Sequence, residues 1–407
     1  MTPIFLERGL TLLSNKVKEE LYPADIAFRE FCKEKNLGSK NRRELSQYFF
    51  EFLRKYWFYY WKNGNTENIE EMVKVFLKEK YLNESAPIWA KANLSPEIWE
   101  EFENSFPANK EILQEIQNKQ AYTDIRVNTF AGFQKSFVAR QLCADGFVVD
   151  ELPYGAGLRL QQRFDFSRNA LYRAGAFEIQ DFGSQIVSNL CCQKYNNTDI
   201  NSVLDYCAGG GGKSLAILNN LNSLEKIVLT DIDQKRFNSA KHRFERIQKF
   251  SEKKSFFEKK IEKNVFFSEI NEINGQFDIV LVDAPCSGIG TLRRNPWLTI
   301  NLNNREKINE LHYIQCEILK KAAFFVKKEG FLIYITCSIL KKENEDVAHK
   351  FLLNFPEFKS VDISDCWQHS FSQKLLLKLQ PSRPFLRLWP SIFDSDGFFM
   401  AIFQNEN

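Results

Sequence analysis

No run of apolar residues in this 407-residue chain approaches the ~18 that a helix needs to cross a bilayer, so no membrane partner is expected. The amino terminus, MTPIFLERGL, lacks the charged-then-apolar pattern of a secretory leader, and a cytoplasmic location is expected. The nine cysteines are odd in number and form no CxxC pair, so neither a disulfide framework nor a zinc ribbon is indicated, no metal is expected, and a reducing compartment fits best. Net charge is only +3, so a nucleic-acid partner has to be met by local basic patches and not by the whole surface. A hydrophobic fraction of 44% with a charged fraction of 26% describes an ordinary globular protein. The length exceeds what one core usually holds, so two or three domains are expected.

What the sequence does contain is concentrated in Phe277 to Pro296, FDIVLVDAPCSGIGTLRRNP. The run Ile279-Val280-Leu281-Val282 is apolar and β-branched, as in a strand buried on both faces of a parallel sheet. Pro285 cannot extend a ladder and stops it. Ligands of open α/β sheets sit beyond the carboxyl ends of the strands, which puts Asp283 and Cys286 where chemistry takes place. The alternative is a buried strand whose cysteine is one more small apolar residue. A second run, Phe331-Leu332-Ile333-Tyr334-Ile335-Thr336, stops at Cys337-Ser338 in the same way, after a helix predicted over Lys307 to Lys328 and ended by Gly330. If the two strands are neighbours, Cys286 and Cys337 open onto one crevice.

Residues 1–117 read as all-helical. Pro23-Ala24-Asp25 starts one helix, Gly38 to Asn41 breaks it, and a second runs from Arg42 with Leu45, Phe49, Phe52, Leu53, Tyr56 and Tyr60 at three- and four-residue steps. Such a stripe is more often core than a base-stacking surface. Between Arg29 and Lys62 nine Lys or Arg stand against four Glu, which makes this stretch, with Arg42 and Arg43, the candidate phosphate-tracking face of the amino-terminal half. Residues 118–165 form a small α/β connector of strand, helix and strand. Residues 166–407 form the third part.

That part opens with the strand Ser202 to Tyr206, which leads into Cys207-Ala208-Gly209-Gly210-Gly211-Gly212-Lys213 and a helix. Consecutive glycines between strand and helix let the backbone approach a ligand and present amides at the helix N-terminus. The spacing fits neither a Walker loop nor a dinucleotide fingerprint. Asp231 ends the next strand about twenty residues on, where a ribose-binding carboxylate belongs. A ribose-bearing cofactor other than NAD is implied, with helix capping the competing role for Asp231.

These residues resemble the RsmB/Sun (NOL/NOP/Sun) type of S-adenosylmethionine-dependent RNA cytosine-5 methyltransferases. The resemblance extends over nearly the whole chain: PADIAFREF and LGSKNRRELSQYFFEFLR, DIRVNTF, FEIQDFGSQIV, VLDYCAGGGGKSLAI, DAPCSGIGTLRRNP, YITCSIL with ENE, and DGFFMAIF. It implies a class I methyltransferase Rossmann-like α/β sheet, preceded by an all-helical NusB-like RNA-binding domain and the small connector. It implies S-adenosylmethionine as cofactor, held by Cys207 to Lys213, Asp231 and Asp283, and RNA as substrate, ribosomal RNA first and transfer RNA second; a monomer is expected. By the same resemblance Cys337 attacks carbon 6 of the cytosine, Cys286 assists release, and a protonated Asp283 stabilises the ring nitrogen. Arg293, Arg294 and Asn295 follow as an RNA-facing loop. The chain departs from the family in three places: Gly209-Gly210 replace Ala-Pro, which should loosen the loop; Trp297 and Leu298 stand where an acid and a lysine are usual; and the acid expected after the third strand has no clear counterpart among residues 261–275, which leaves the adenine contact unassigned. The rival functions are a DNA cytosine-5 methyltransferase, disfavoured because Ser287 and not Gln follows Pro285-Cys286, and a catalytically silent RNA-binding or assembly factor that keeps the fold.

Overall fold

The computed structural model describes residues 1–19, 23–78, 85–106, 119–161, 164–192, 200–221, 224–251, 264–363 and 384–407. Its packing divides the chain into two compact units, Met1–Ala121 with Ser287–Glu310, and Tyr122–Cys286 with Leu311–Asn407. The boundary expected at 117–118 lies outside the described residues. No helix among the described residues is long and apolar enough to cross a membrane.

The first unit is helical. Its helices are α1 (Pro3–Glu19), α2 (Ala24–Glu34), α3 (Ser39–Arg54), α4 (Tyr56–Lys62), α5 (Ile69–Lys78), α6 (Ile88–Lys91) and α7 (Pro96–Ser105). Leu6, Leu10, Leu13 and Val17 recur at helical steps on α1 and are all buried, as the period requires of a core-facing stripe. The helix expected from Arg42 begins three residues earlier, behind Gly38 in extended conformation, and it breaks at Lys55. Phe49, Phe52, Tyr56, Tyr59 and Phe76 share one core. The aromatic stripe is thus a packing surface, each ring worth roughly 1.5–3 kcal/mol of burial. Ile300 joins that core, and the indole of Trp57 donates to the carbonyl of Thr299 at 3.1 Å.

The second unit contains two sheets. The smaller is antiparallel, with strands β1 (Thr123–Val127), β2 (Val149–Glu151), β3 (Gly157–Leu160) and β4 (Phe177–Ile179) in the order β2-β3-β1-β4. One face of it buries Ile125, Val127, Leu158 and Leu160 against Val138 and Leu142 of the helix Lys135–Ala144. Alternation along β1 turns Asp124 and Arg126 the other way. Asp124 receives a two-pronged hydrogen bond from Arg159, at 2.7 and 2.9 Å. Arg126 is fully buried, which pushes its pKa down to about 10, and donates to Gln180 and Asn128.

The larger sheet holds β5 (Ser202–Asp205), β6 (Lys226–Leu229), β7 (Val265–Phe267), β8 (Phe277–Asp283), β9 (Val326–Thr336), β10 (Phe358–Ser360), β11 (Leu386–Leu388) and β12 (Phe398–Asn405). The order is β10-β12-β9-β8-β5-β6-β7, with β11 also on β12. Strands β5 to β9 run parallel, and β12 is antiparallel to β9. The strand order reverses between β5 and β8, which opens a crevice at their carboxyl ends. The apolar runs in β8 and β9 are buried throughout, as a strand covered on both faces demands.

One expected boundary is corrected. The helix predicted over Lys307 to Lys328 spans Arg305–Ala323, and the chain is already in β9 at Val326. Pairing of Val326 with Phe277 and the ion pair of Lys327 with Asp278 at 2.7 Å override the helical preference of the lysines. Gly330 lies inside the strand at an irregularity in its pairing with β8, where a Cβ would meet the carbonyl oxygen of Lys327 at 2.9 Å. It marks a bulge instead of a helix end.

Candidate active site

The glycine loop joins β5 to the helix Gly212–Asn220. Its first helical bond runs from Leu215 N–H to the Gly211 carbonyl at 3.0 Å, which leaves the amides of Gly212, Lys213 and Ser214 without helical partners. Gly211 has φ +73°, and a side chain there would meet the Phe244 ring at 3.0 Å, so only glycine satisfies both conditions. The loop is tied to the end of β6: Ala208 N–H donates to the Thr230 carbonyl at 2.9 Å, and Gly209 N–H donates to Asp231 Oδ2 at 2.6 Å. Asp231 Oδ1 accepts from Asp233 N–H at 2.8 Å. The helix that follows is capped by Asp233, whose Oδ1 accepts from the amides of Lys235 and Arg236, so capping is not the work of Asp231. Beneath the loop, Asp205 is buried and accepts from the hydroxyl of Ser214. Burial pushes the Asp205 pKa up to about 7, because a low-dielectric site disfavours the anion. Burial likewise raises the Cys207 thiol above its ordinary range.

Strands β8 and β9 are neighbours, and their ends bring the two cysteines together. Cys286 Sγ lies 3.4 Å from Cys337 Sγ. Lys213 reaches across from the loop, with Nζ 2.5 Å from Asp283 Oδ2 and 5.4 Å from the centre of the Phe398 ring. Burial works to lower the Lys213 pKa, but the charge and hydrogen bond of Asp283 outweigh it and raise the value. The Asp283 carboxyl, expected beside the ring nitrogen, is paired with the Lys213 side chain. Cys286, Cys337, Asp283 and Lys213 thus converge at the carboxyl ends of β8 and β9, beside the glycine loop.

Sequence reasoning missed the side chains that hold these loops. Glu343 and Asn344, of the ENE triplet, are fully buried. Asn344 accepts from the Thr336 hydroxyl and donates to the Ser338 carbonyl at 3.0 Å, on either side of Cys337. Glu345 forms a two-pronged pair with buried Arg387, which also donates to the Ile339 carbonyl at 2.8 Å. The available signal was a cluster of acids a few residues after TCS. Glu269, two residues past β7, is the first carboxylate after that strand and accepts from the Gln234 amide at 2.9 Å.

The RNA candidates separate. Arg293 is buried, with Arg54 donating to its carbonyl at 3.4 Å. A guanidinium inside the fold does not meet a surface phosphate, which corrects its assignment to an RNA-facing loop and leaves half-buried Arg294 and Asn295. Arg42 is exposed but donates to the Leu37 carbonyl at 2.6 Å, closing the chain after α2. Arg29, Lys35 and Lys55 pair with Asp25, Glu34 and Glu51. Lys33, Lys40 and Arg43 are exposed and have no ionic or hydrogen-bond partner among the described residues.

A family model described as 16S rRNA methyltransferase RsmB/F matches residues 193–404. The chain is similar to the probable ribosomal RNA small subunit methyltransferase B of Bacillus subtilis, at 28% identity over 68% of this chain and 58% of that protein. It is also similar to the ribosomal RNA small subunit methyltransferase F of Shewanella woodyi, at 26% identity over 70% and 57%. The chain thus spans a little over half the length of these two curated relatives. Among solved structures, that of PH0851 aligns with 99% of both chains at a TM-score of 0.75 and 22% identity. NSun6 from Pyrococcus horikoshii with SFG aligns with 77% of this chain and 98% of its own at a TM-score of 0.61 and 17% identity. At such identities the likeness is one of fold, the methyltransferase sheet. The matched residues include the glycine loop and both cysteine-bearing strand ends, and the chain belongs to the RsmB/F family of 16S rRNA methyltransferases.

Proposed function

We propose that this protein is an S-adenosylmethionine-dependent methyltransferase that modifies carbon 5 of a cytosine in ribosomal RNA through a covalent cysteine adduct. The observation that carries the reading is the pair of thiols, Cys286 and Cys337, 3.4 Å apart at the ends of adjacent parallel strands. Carbon 5 of cytosine is a poor nucleophile, and addition of a thiolate to carbon 6 makes it a good one. One thiol has to attack and something has to help it leave.

The glycine loop suits the cofactor: amides without helical partners at a helix start and a carboxylate at Asp231 fit the methionine and ribose parts of S-adenosylmethionine. When bound, that cofactor supplies a methyl group on a positively charged sulfur. Cys337 Sγ, as thiolate, bonds to carbon 6 and drives electron density onto carbon 5, the methyl acceptor. Asp283 and its Lys213 partner are assigned to the ring nitrogen that gains charge, with the Lys213 ammonium as its donor. Loss of the carbon 5 proton and cleavage of the bond between Cys337 and carbon 6 complete the reaction, and Cys286 assists that cleavage from contact distance. Lys40, Arg43, Lys33, Arg294 and Asn295 are the residues assigned to RNA phosphates. Incubation of the protein with labelled S-adenosylmethionine and ribosomal RNA, followed by nucleoside analysis, tests the reading: label should appear in 5-methylcytidine and be lost in Cys337→Ala. Cofactor and RNA binding with no label in any nucleoside would instead favour a silent RNA-binding factor.

A further inference from the structure

The loops that carry the two thiols are joined beneath the site by a side chain that the chemistry above does not use. Gln315, on the helix Arg305–Ala323, is fully buried. Its Nε2 donates to the carbonyl of Pro285, the neighbour of Cys286, at 3.0 Å and to Oε1 of Glu343 at 3.1 Å. Oε2 of Glu343 accepts from the hydroxyl of Ser338, the neighbour of Cys337. The same hydroxyl accepts from the Leu340 amide at 3.1 Å, and the Tyr334 hydroxyl donates to the Glu343 carbonyl at 2.6 Å. Pro285, Gln315, Glu343 and Ser338 are therefore one unbroken run of hydrogen bonds between the residues that flank the two cysteines.

Two physical arguments give this run a purpose. The ladder between β8 and β9 ends at Asp283 and Ile335, with one further bond from the Ala284 amide to the Ile335 carbonyl at 2.9 Å, so the sheet itself does not fix residues 286 and 337. Burying a carboxylate is costly, and apolar side chains of similar volume would fill the same space at less cost. What the carboxylate and amide add is direction, since hydrogen bonds hold atoms at set distances and angles.

We propose that Gln315 is a positioning residue that acts through Glu343 to hold Cys286 and Cys337 in contact, so that the thiol which assists release is in place when the attacking thiol must leave. The role in release rests on the assignment of the two thiols made above, whereas the spacing is measurable without any substrate. A loosened tie leaves attack by Cys337 intact and impairs the step that needs both thiols at once.

The test uses the full-length protein and diamide, a thiol oxidant: the two thiols give up two protons and two electrons to form one sulfur–sulfur bond, and the diazene is reduced to the hydrazine. The rate of bond formation between Cys286 and Cys337 is read by mass spectrometry, beside the rate at which iodoacetamide alkylates Cys337, which reports reactivity without spacing. Gln315→Met, which keeps length and volume but has no donor, should slow the coupling at least tenfold and leave alkylation within twofold of the unaltered protein. With RNA and cofactor it should accumulate a denaturant-resistant adduct. Coupling at the unaltered rate in a folded Gln315→Met protein overturns the proposal, because the backbone alone would then set the spacing. Should Gln315→Met fail to fold, Ser338→Ala cuts the same run at its far end with little change of volume and is judged by the same ratio. If the coupling rates separate as expected while the unaltered protein methylates no RNA, the positioning inference stands and the functional reading falls.

Discussion

Lys213 Nζ and Asp283 Oδ2 are 2.5 Å apart, an ion pair that joins the glycine loop to the end of the central strand. Lys213→Met leaves a carboxylate facing an apolar side chain. Because the Asp283 side chain is 30% exposed, solvent screens part of the loss, and a stability decrease of about 1–3 kcal/mol is expected in chemical denaturation, below the range for a fully buried pair. Methyl transfer should be lost as well. Adding Asp283→Asn should recover part of the stability and none of the activity; full recovery of activity would reduce the pair to a structural tie.

The two thiols should give opposite signatures. Cys337→Ser removes the attacking group, so neither methylation nor a covalent complex is expected. Cys286→Ser keeps attack and one methyl transfer but slows release, so a shifted RNA-bound band should persist on a denaturing gel. The double substitution should show no band, because trapping requires prior attack. A band in the Cys337 variant and none in the Cys286 variant would exchange the two roles.

Asp231 holds the Gly209 amide at 2.6 Å, and Asp233 caps the next helix. Asp231→Ala should therefore weaken S-adenosylmethionine binding by about 1.5–3 kcal/mol in calorimetry, the range for hydrogen bonds to a charged group, while the helix stays capped. A lowered melting temperature with unchanged affinity would make Asp231 a loop anchor only.

Asp205 gives a pH dependence whose sign follows from linkage. Its folded-state pKa, raised to about 7 by burial, exceeds the ordinary value of about 4. The folded protein then holds a proton that the unfolded chain has released. Stability from this group is fully present below about pH 4 and is lost as pH rises toward 7, at up to about 1.4 kcal/mol per unit. Asp205→Asn should flatten that part of the stability curve, measured by denaturation at pH 4.5 and pH 7.5. An unchanged slope would refute the protonated, buried carboxyl.

Lys40 and Arg43 lie one turn apart on α3, exposed and without partners among the described residues. Their joint replacement by Ala should weaken binding of all RNAs alike and reduce the salt slope by about 1–2. Arg42→Ala instead removes a hydrogen bond to the Leu37 carbonyl and should register in stability. Equal salt slopes with and without Lys40 and Arg43 would make that face merely solvated.

The sequence by itself determined the parts whose signals are local. Apolar β-branched runs stopped by Asp283-Ala284-Pro285 and by Thr336 marked the ends of β8 and β9, four glycines before Lys213 marked the turn from β5 into the next helix, and helical periodicity marked the core face of α3, because each is a pattern within one element. The tertiary structure decided what depends on residues far apart in the chain. It brought the thiols to 3.4 Å, set Lys213 on Asp283, turned Gly330 from a helix end into a strand bulge, took Arg293 inside the fold and gave Glu343 to Gln315 and Ser338. No periodicity encodes these, since a buried polar side chain is placed by the partner that offsets its desolvation, and that partner is chosen by packing between elements separated by tens to hundreds of residues.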